Sequence, residues 1–87
     1  MYINEILHFL RQGYKASASN PGILTLGPIT EGARTPMTRI EATPKGEAAI
    51  GLTRYIRRGW LIEDFNDHFV ILAPPRVSET RVFVRVA

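Results

Sequence analysis

The histidines and a cluster of acidic residues are the side chains that could bind a metal ion. The chain has no cysteine, and His8 and His68 lack the His-Glu-x-x-His spacing of a zinc-binding helix. Asp64, Asn66 and Asp67 place several oxygen donors in one predicted turn, but this segment lacks the glycine and the distant glutamate of a calcium-binding loop. The sequence therefore predicts surface histidines, a hairpin turn, and no metal or other cofactor.

Serine is the remaining candidate nucleophile, because cysteine is absent. Ser17, Ser19 and Ser78 all lie outside any Gly-x-Ser-x-Gly motif. A phosphate-binding glycine loop is also missing, since the spaced prolines and glycines at 28–32 precede no predicted helix. We therefore expect a protein that is not an enzyme. An active site completed by another chain is the alternative.

Arginine is the residue type that points most clearly to a ligand. Nine of the eleven basic residues are arginine, against eight acidic residues, and the net charge is +3. Arg54, Arg57 and Arg58 fall on neighbouring positions of the outward face of a predicted helix. Three further arginines lie on the predicted last strands of two units: Arg39, Arg81 and Arg85. If these faces coincide, they form a basic strip for phosphate groups, and solvated surface is the alternative.

Three large apolar residues are candidates for contact with another protein. Ile50 lies on the same predicted helical face as Arg54 and Arg57. Phe83 falls on the face of the last strand opposite its valines, and Phe65 lies at the tip of a predicted turn. Exposed aromatic groups near arginines are typical of protein interfaces. Burial of these residues inside the domain is the alternative.

The segment that positions many of these residues occurs twice. Residues 9–14 (FLRQGY) and 55–60 (YIRRGW) both read aromatic, aliphatic, Arg, polar, Gly, aromatic. The offset is 46 (59 − 13 = 46), and most other pairs in the ungapped alignment keep their apolar character. The identical pairs are Arg11/Arg57, Gly13/Gly59, Asn20/Asn66, Leu26/Leu72, Pro28/Pro74 and Arg39/Arg85. This pattern favours a duplicated unit over two unrelated helix-and-hairpin segments.

The first unit, residues 1–42, combines a helix, a hairpin and a third strand. Apolar residues recur at helical spacing up to Gly13, which is placed to end the helix. Turn residues at 19–22 then separate two short apolar segments. The predicted elements are helix 2–13, strands 14–18 and 23–26, a connection at 28–36, and strand 37–42.

The second unit, residues 43–87, repeats this order. Thr43 is the predicted N-cap of its helix and Pro44 the first helical residue. The inward stripe is Ala48, Ala49, Leu52, Tyr55 and Ile56. We predict strands at 60–63, 68–73 and 81–86, the middle one buried on both faces because its apolar run is continuous. The predicted fold is one α+β domain with αβββαβββ order, in which antiparallel sheets and two helices pack about a pseudo-twofold axis.

Part of the second unit resembles a known DNA-binding domain. The second helix, residues 59–64 and residues 68–72 are similar to the last helix and wing of a winged-helix domain. The resemblance covers about a quarter to a third of the chain and implies binding to duplex DNA. The chain departs from that family because a helix-turn-helix has another helix shortly before the recognition helix, and 28–42 predicts loop and strand.

Composition limits the remaining function classes. With 45% hydrophobic and 22% charged residues, the 87-residue chain is typical of a globular domain. It has no apolar run near the roughly 18 residues of a membrane span, and no basic, apolar leader at its start. We therefore expect a cytoplasmic location, or the host cytoplasm or virion for a viral protein.

The sequence has no catalytic motif and contains a duplicated unit. Together these features predict a non-enzymatic binding or structural module. Such a chain would serve as a small subunit or accessory factor of a larger assembly, viral assemblies included. Its expected partner is another protein or further copies of itself, with no membrane and no small-molecule substrate. The alternative is an arginine-rich regulator that binds nucleic acid.

Overall fold

A computed structural model describes residues 1–27 and 38–86. Within these ranges the chain forms two helices and six strands, in the helix-strand-strand-strand order that the sequence predicts. The elements are α1 (Ile3–Arg11), β1 (Lys15–Ser17), β2 (Leu24–Gly27), β3 (Ile40–Ala42), α2 (Glu47–Arg57), β4 (Leu61–Phe65), β5 (Phe69–Ala73) and β6 (Val82–Arg85). The strands pair as two antiparallel sheets, β1-β2-β3 and β4-β5-β6. The predicted α+β class is confirmed. The predicted connection at 28–36 and the start of the third strand at Met37 lie outside the described residues.

Both helices end in the same way. Gly13 follows α1 with φ of 93° and Gly59 follows α2 with φ of 97°, in the left-handed region that glycine tolerates best. In each copy the next residue, an aromatic, donates its backbone N–H to an aromatic residue of the last helical turn at 3.1 Å. The two rings then pack edge to face, with centroids 5.1 Å and 5.2 Å apart. These pairs are Tyr14 with Phe9 and Trp60 with Tyr55.

The first two strands of each unit pair in equivalent registers. Lys15 lies opposite Gly27, and their counterparts at offset 46, Leu61 and Ala73, lie opposite each other. The registers separate at Glu63, where β4 contains a bulge between Ile62 and Asp64. The helix and hairpin are therefore repeated, and the bulge turns the end of β4 relative to β1.

The third strands do not follow the ungapped alignment. Ala42 pairs with Leu24, and Val84 pairs with Val70, so the offset between the third strands is 42 (84 − 42 = 42). The reason is a longer connection in the first unit, with 12 residues between β2 and β3 against 8 between β5 and β6. The alignment of Arg39 with Arg85 is therefore wrong. The structural counterpart of Phe83 is Glu41.

The predicted start of the second helix is also wrong. The helix begins at Glu47, after Gly46 with φ of 84°. Thr43 is not an N-cap, because its carbonyl accepts a hydrogen bond from the Met1 amino group at 2.6 Å. The backbone N–H of Lys45 donates to the Met1 carbonyl at 2.8 Å. These two contacts bond the segment 43–45, which precedes the helix, to the first residue of the chain.

One core joins the two units. Its fully buried residues include three equivalent pairs, one from the helices and two from the central strands: Ile6 and Leu52, Leu24 and Val70, and Leu26 and Leu72. The inward stripe of α2 is as predicted, with Ala49 and Leu52 buried. Thr53 is buried beside them and donates its hydroxyl to the Ala49 carbonyl at 2.8 Å. None of the helices in the described ranges is long and apolar enough to cross a membrane.

Candidate functional site

The sheet β4-β5-β6 turns only one face toward the core. Val70 and Leu72 of β5 are fully buried, whereas Phe69 is 36% exposed and Ile71 half-buried. The prediction that this strand is buried on both faces is therefore wrong. The alternation is the one expected for an antiparallel sheet with one face on the core.

Large apolar residues occupy the opposite face of this sheet. Phe83 on β6 is 58% exposed and Leu61 on β4 is 62% exposed. Phe83 pairs with Ile71, and its ring meets that of Phe69 edge to face at 6.0 Å. We refer to the set Leu61, Phe69, Ile71, Ala73 and Phe83 as the apolar face.

The corresponding face of β1-β2-β3 carries polar side chains, and Thr25 at its centre is buried. Phe69 alone keeps an apolar counterpart in the first unit, Ile23, which precedes β2. The other compared positions change from polar to apolar: Lys15 to Leu61, Thr25 to Ile71 and Glu41 to Phe83. The core-facing positions of both sheets remain apolar, so the two units differ mainly on the face that the core does not require.

Charged residues of both signs share the outer side of this sheet with the apolar face. Arg81 and Arg85 lie on the β6 side, and Arg85 pairs in register with Phe69. Glu63 and Asp64 lie on the β4 side. Arg81 reaches across to Glu63 with both Nε and Nη2, the latter at 2.9 Å, and this contact raises the pKa of the guanidinium.

A hollow of about 580 Å³ extends the apolar face beyond the end of β5. Ala73, Pro74, Val77 and Phe83 supply its apolar wall. Val77 is fully exposed. The apolar surface is therefore wider than the three strands that carry most of it.

The three predicted protein-contact residues do not lie together. Phe83 belongs to the apolar face and lies on its edge strand, β6, opposite Ile71. Phe65 is the last residue of β4 and not a turn tip, and it is half-buried against the core. The β-bulge accounts for this position, because it brings Phe65 opposite the buried Val70. Ile50 is 37% exposed and lies on α2 beside Arg54 and Arg57.

The arginines of α2 do lie together. Arg54, Arg57 and Arg58 are exposed and line one shallow hollow of about 330 Å³. None of the three forms an ion pair with an acidic residue of the described ranges. Arg54 and Arg57 lie in the last turn of the helix and Arg58 is its C-cap, where positive charge is also favourable to the helix dipole.

The other three predicted arginines lie elsewhere. Arg39 lines a different hollow, between the two units, together with Lys15 and Trp60. Arg81 and Arg85 are on the outer side of their sheet, whereas α2 packs on its core side. The six arginines thus form no single strip.

The polar residues that the sequence offers as candidate metal ligands take part in hydrogen bonds within the chain. The Asn66 side chain accepts backbone hydrogen bonds from His68 and Phe69, both at 2.8 Å, and so stabilises the predicted turn. Asp67 accepts a bond from Arg11 at 2.9 Å. His8 bonds with Gln12 at 2.8 Å. The described part of the chain contains no group of three side chains able to hold a metal ion.

Sequence reasoning missed Leu61, Phe69 and Ile71 as surface residues. A signal was available in the repeat, because two of these positions are polar in the first copy and apolar in the second. The third change, from Glu41 to Phe83, was hidden by the different length of the connections.

Comparison with protein-family models, curated proteins and solved structures finds no match to the chain.

Proposed function

We propose that this protein is a non-enzymatic binding module that joins a larger protein assembly through its apolar face. The observation that carries the proposal is the contrast between the two sheets. One folding unit is used twice with an apolar core side in both copies, and only the second copy has an apolar outer side. The first copy demonstrates that the fold tolerates polar residues there.

The apolar face has an energetic cost while it remains in water. Burial of apolar surface contributes about 25 cal/mol per Å², so covering several large side chains would favour association. Contiguous exposed apolar surface on a small protein typically marks an interaction site. The aromatic pair of Phe69 and Phe83 is suited to anchor such an interface, because aromatic residues dominate binding energy at protein contacts.

The proposal can be tested by making the second sheet resemble the first. In the variant L61K/I71T/F83E, each residue is replaced by its counterpart from the first unit. Tagged wild type and variant are compared for proteins that co-purify from cells of the source organism. We expect one defined protein, or the chain itself, to co-purify with wild type in a fixed ratio and to be lost with the variant.

The control carries changes on the polar face, K15Q/E41Q, and should retain the partner. The identified partner is then purified and the complex reconstituted. Equal recovery of the complex with wild type and with L61K/I71T/F83E would contradict the proposal. Circular dichroism of all three proteins checks that the fold is retained.

Nucleic-acid binding through Arg54, Arg57 and Arg58 is the second candidate. These side chains share one hollow, and none pairs with a described acidic residue. Guanidinium groups in this arrangement suit phosphate oxygens. If this function holds, the protein should bind labelled duplex DNA or single-stranded RNA at low salt. This binding should weaken steeply at physiological salt.

The variant R54A/R57A/R58A should then lose this binding, whereas R76A, which removes an exposed arginine outside the cluster, should retain it. Absence of binding to either nucleic acid at low salt would reject the candidate.

A further inference from the structure

We infer that the hollow shared by Lys15, Arg39 and Trp60 binds a small organic anion, one with a phosphate or carboxylate group on an apolar body. The hollow measures about 580 Å³. Ligand pockets of roughly 300–1,000 Å³ are typical of proteins. The first unit contributes a basic, polar wall and the second unit an apolar wall, and no described residue of either wall is acidic. We refer to this site as the basic hollow. The inference goes beyond the proposed function and does not depend on a protein partner.

Two cations of the first sheet flank a glycine in the wall of the basic hollow. Lys15 pairs in register with Gly27. Ile40 pairs with Leu26, so continuation of that register places Arg39 on the other side of Gly27. With neighbouring strands about 4.8 Å apart, the Cα atoms of the two cations are separated by about 10 Å. Neither cation forms an ion pair or a side-chain hydrogen bond within the described residues.

The equivalent arginine of the second unit is neutralised. At the offset of 42 that the third strands follow, the counterpart of Arg39 is Arg81, which bonds to Glu63 in its own sheet. β1 contains no acidic residue that could do the same for Arg39. Glu41 lies two residues further along the chain, but it forms no ion pair with Arg39 and does not line the basic hollow. The charge of Arg39 is therefore available to a ligand.

Thr25 adds a hydroxyl group to the same wall. The residue is only 9% exposed and lies opposite Ser17, which also lines the basic hollow. The Thr25 hydroxyl forms no hydrogen bond within the described residues, yet its oxygen is not sealed from solvent. The buried hydroxyl of Thr53, by contrast, bonds to the Ala49 carbonyl. A nearly buried hydroxyl without a protein partner is stabilised when a ligand completes its hydrogen bonds.

Gly27 leaves a gap between the two cations. An added Cβ would meet no atom within 4 Å, so the space above this residue is open. Its φ is not positive, so the backbone does not require glycine here. An oxyanion in this gap would have a guanidinium on one side, an ammonium on the other and the Thr25 hydroxyl beside it. These are the donors that phosphate and carboxylate oxygens bond most strongly.

The second unit supplies the surface for the apolar body of the ligand. Ile56, Trp60 and Leu61 line the basic hollow, and Leu61 is 62% exposed. Leu61 is the counterpart of Lys15, so equivalent positions form a basic side and an apolar side of one site. Burial of an apolar body against these side chains would favour binding. No small-molecule ligand was expected from the sequence, because the residues of this site are far apart in the chain.

Nuclear magnetic resonance titrations of the intact chain test the inference. The probes are phenyl phosphate and phenylacetate, compared with inorganic phosphate and with phenol. We expect at least one aromatic anion to shift the Thr25 and Gly27 amides and the Trp60 indole in a saturable way. Its dissociation constant should be at least about tenfold below those of inorganic phosphate and phenol, because each of these lacks one half of the ligand. The tighter aromatic anion identifies the preferred head group.

Two variants locate the site. K15Q/R39Q should raise the dissociation constant at least about tenfold, because both charged donors are lost. G27V keeps both charges but fills the gap between them, and should weaken binding by a similar factor. The matched control K45Q/R76Q removes one lysine and one exposed arginine outside the basic hollow and should leave the constant unchanged.

Thermal melts of each variant separate weaker binding from a lost fold. Absence of saturable shifts with both aromatic anions would overturn the inference. An affinity that K15Q/R39Q leaves unchanged, or that K45Q/R76Q lowers to the same extent, would also overturn it. The second of these results would mean that the anions are attracted to the basic chain as a whole.

Discussion

Gly59 holds φ of 97° directly after α2, and Gly13 holds φ of 93° directly after α1. Other residues adopt this conformation at a cost, because the Cβ atom approaches the backbone. At Gly59 an added Cβ would also lie 3.4 Å from Cβ of Pro75. These glycines let the chain reverse from the helix into the hairpin, which places the aromatic residue that follows beside the helix end.

At this scale we predict opposite effects of two alanine substitutions in the same segment. G59A should lower the free energy of unfolding by about 1–2 kcal/mol because of its left-handed backbone. G51A should raise it by up to about 1 kcal/mol, because Gly51 lies within α2 and an added Cβ meets no atom within 4 Å. Urea denaturation measures both, and a G59A variant as stable as G51A would contradict this account of the helix end.

Single side chains also decide the character of each sheet surface. Glu41 and Phe83 occupy equivalent positions, each opposite the central strand of its sheet. The backbone hydrogen bonds are the same in kind, so the choice between a charged and an aromatic side chain affects the surface more than the fold. This is the physical reason that the outer face could diverge while the core stayed apolar.

At the scale of elements, each unit is a helix followed by a three-stranded sheet, and both helices and the inner sides of both sheets contribute to one core. β2 and β5 are the central strands, paired on both sides, and they carry the most deeply buried residues. The remaining strands are at the sheet edges, where strand N–H groups on one side have no described strand to pair with.

The hydrogen-exchange rates of the backbone amides should follow the position of each strand, central or edge, in its sheet. The amides of β2 and β5 should exchange slowest, because their opening requires loss of the core that both units share. The amides of the edge strands β1, β3, β4 and β6 that face away from the central strands should exchange fastest among the strands. Exchange rates from nuclear magnetic resonance test the order, and protection of β1 or β4 above that of β2 and β5 would contradict it.

The elements that local chemistry determines were predictable from the sequence. The helix ends at Gly13 and Gly59, the Asn66 turn and the strand alternation around Val82 and Val84 depend on a few neighbouring residues. Features that depend on distant partners were not. Thr43 has the chemistry of an N-cap, but its carbonyl is bonded to Met1, which lies far away in the chain.

The same reason explains what was missed at the candidate site. The register of β3 depends on the length of the connection before it, so alignment at a constant offset paired the wrong residues. Ile50 and Phe83 were predicted to be exposed and are exposed. Phe65 was assigned to a turn because the β4 bulge, which turns it toward the core, has no clear signal in the sequence.

At the scale of the whole molecule, two copies of one unit share a single core but present different outer surfaces. A hollow of about 300 Å³ lies at their junction and is lined by equivalent residues of both units, including Tyr14 and Trp60. Equivalent positions of the two units thus meet at this junction. A protein built in this way can carry polar side chains on the outer side of one sheet and use the outer side of the other for assembly.

The most direct test of this account compares binding by wild type and by L61K/I71T/F83E at equal concentration and with equal secondary structure. We expect wild type to bind its partner, a second copy or another protein, in a fixed ratio, the variant to lose the complex, and K15Q/E41Q to retain it. Retention of the complex by the variant would show that the apolar face is not the contact surface.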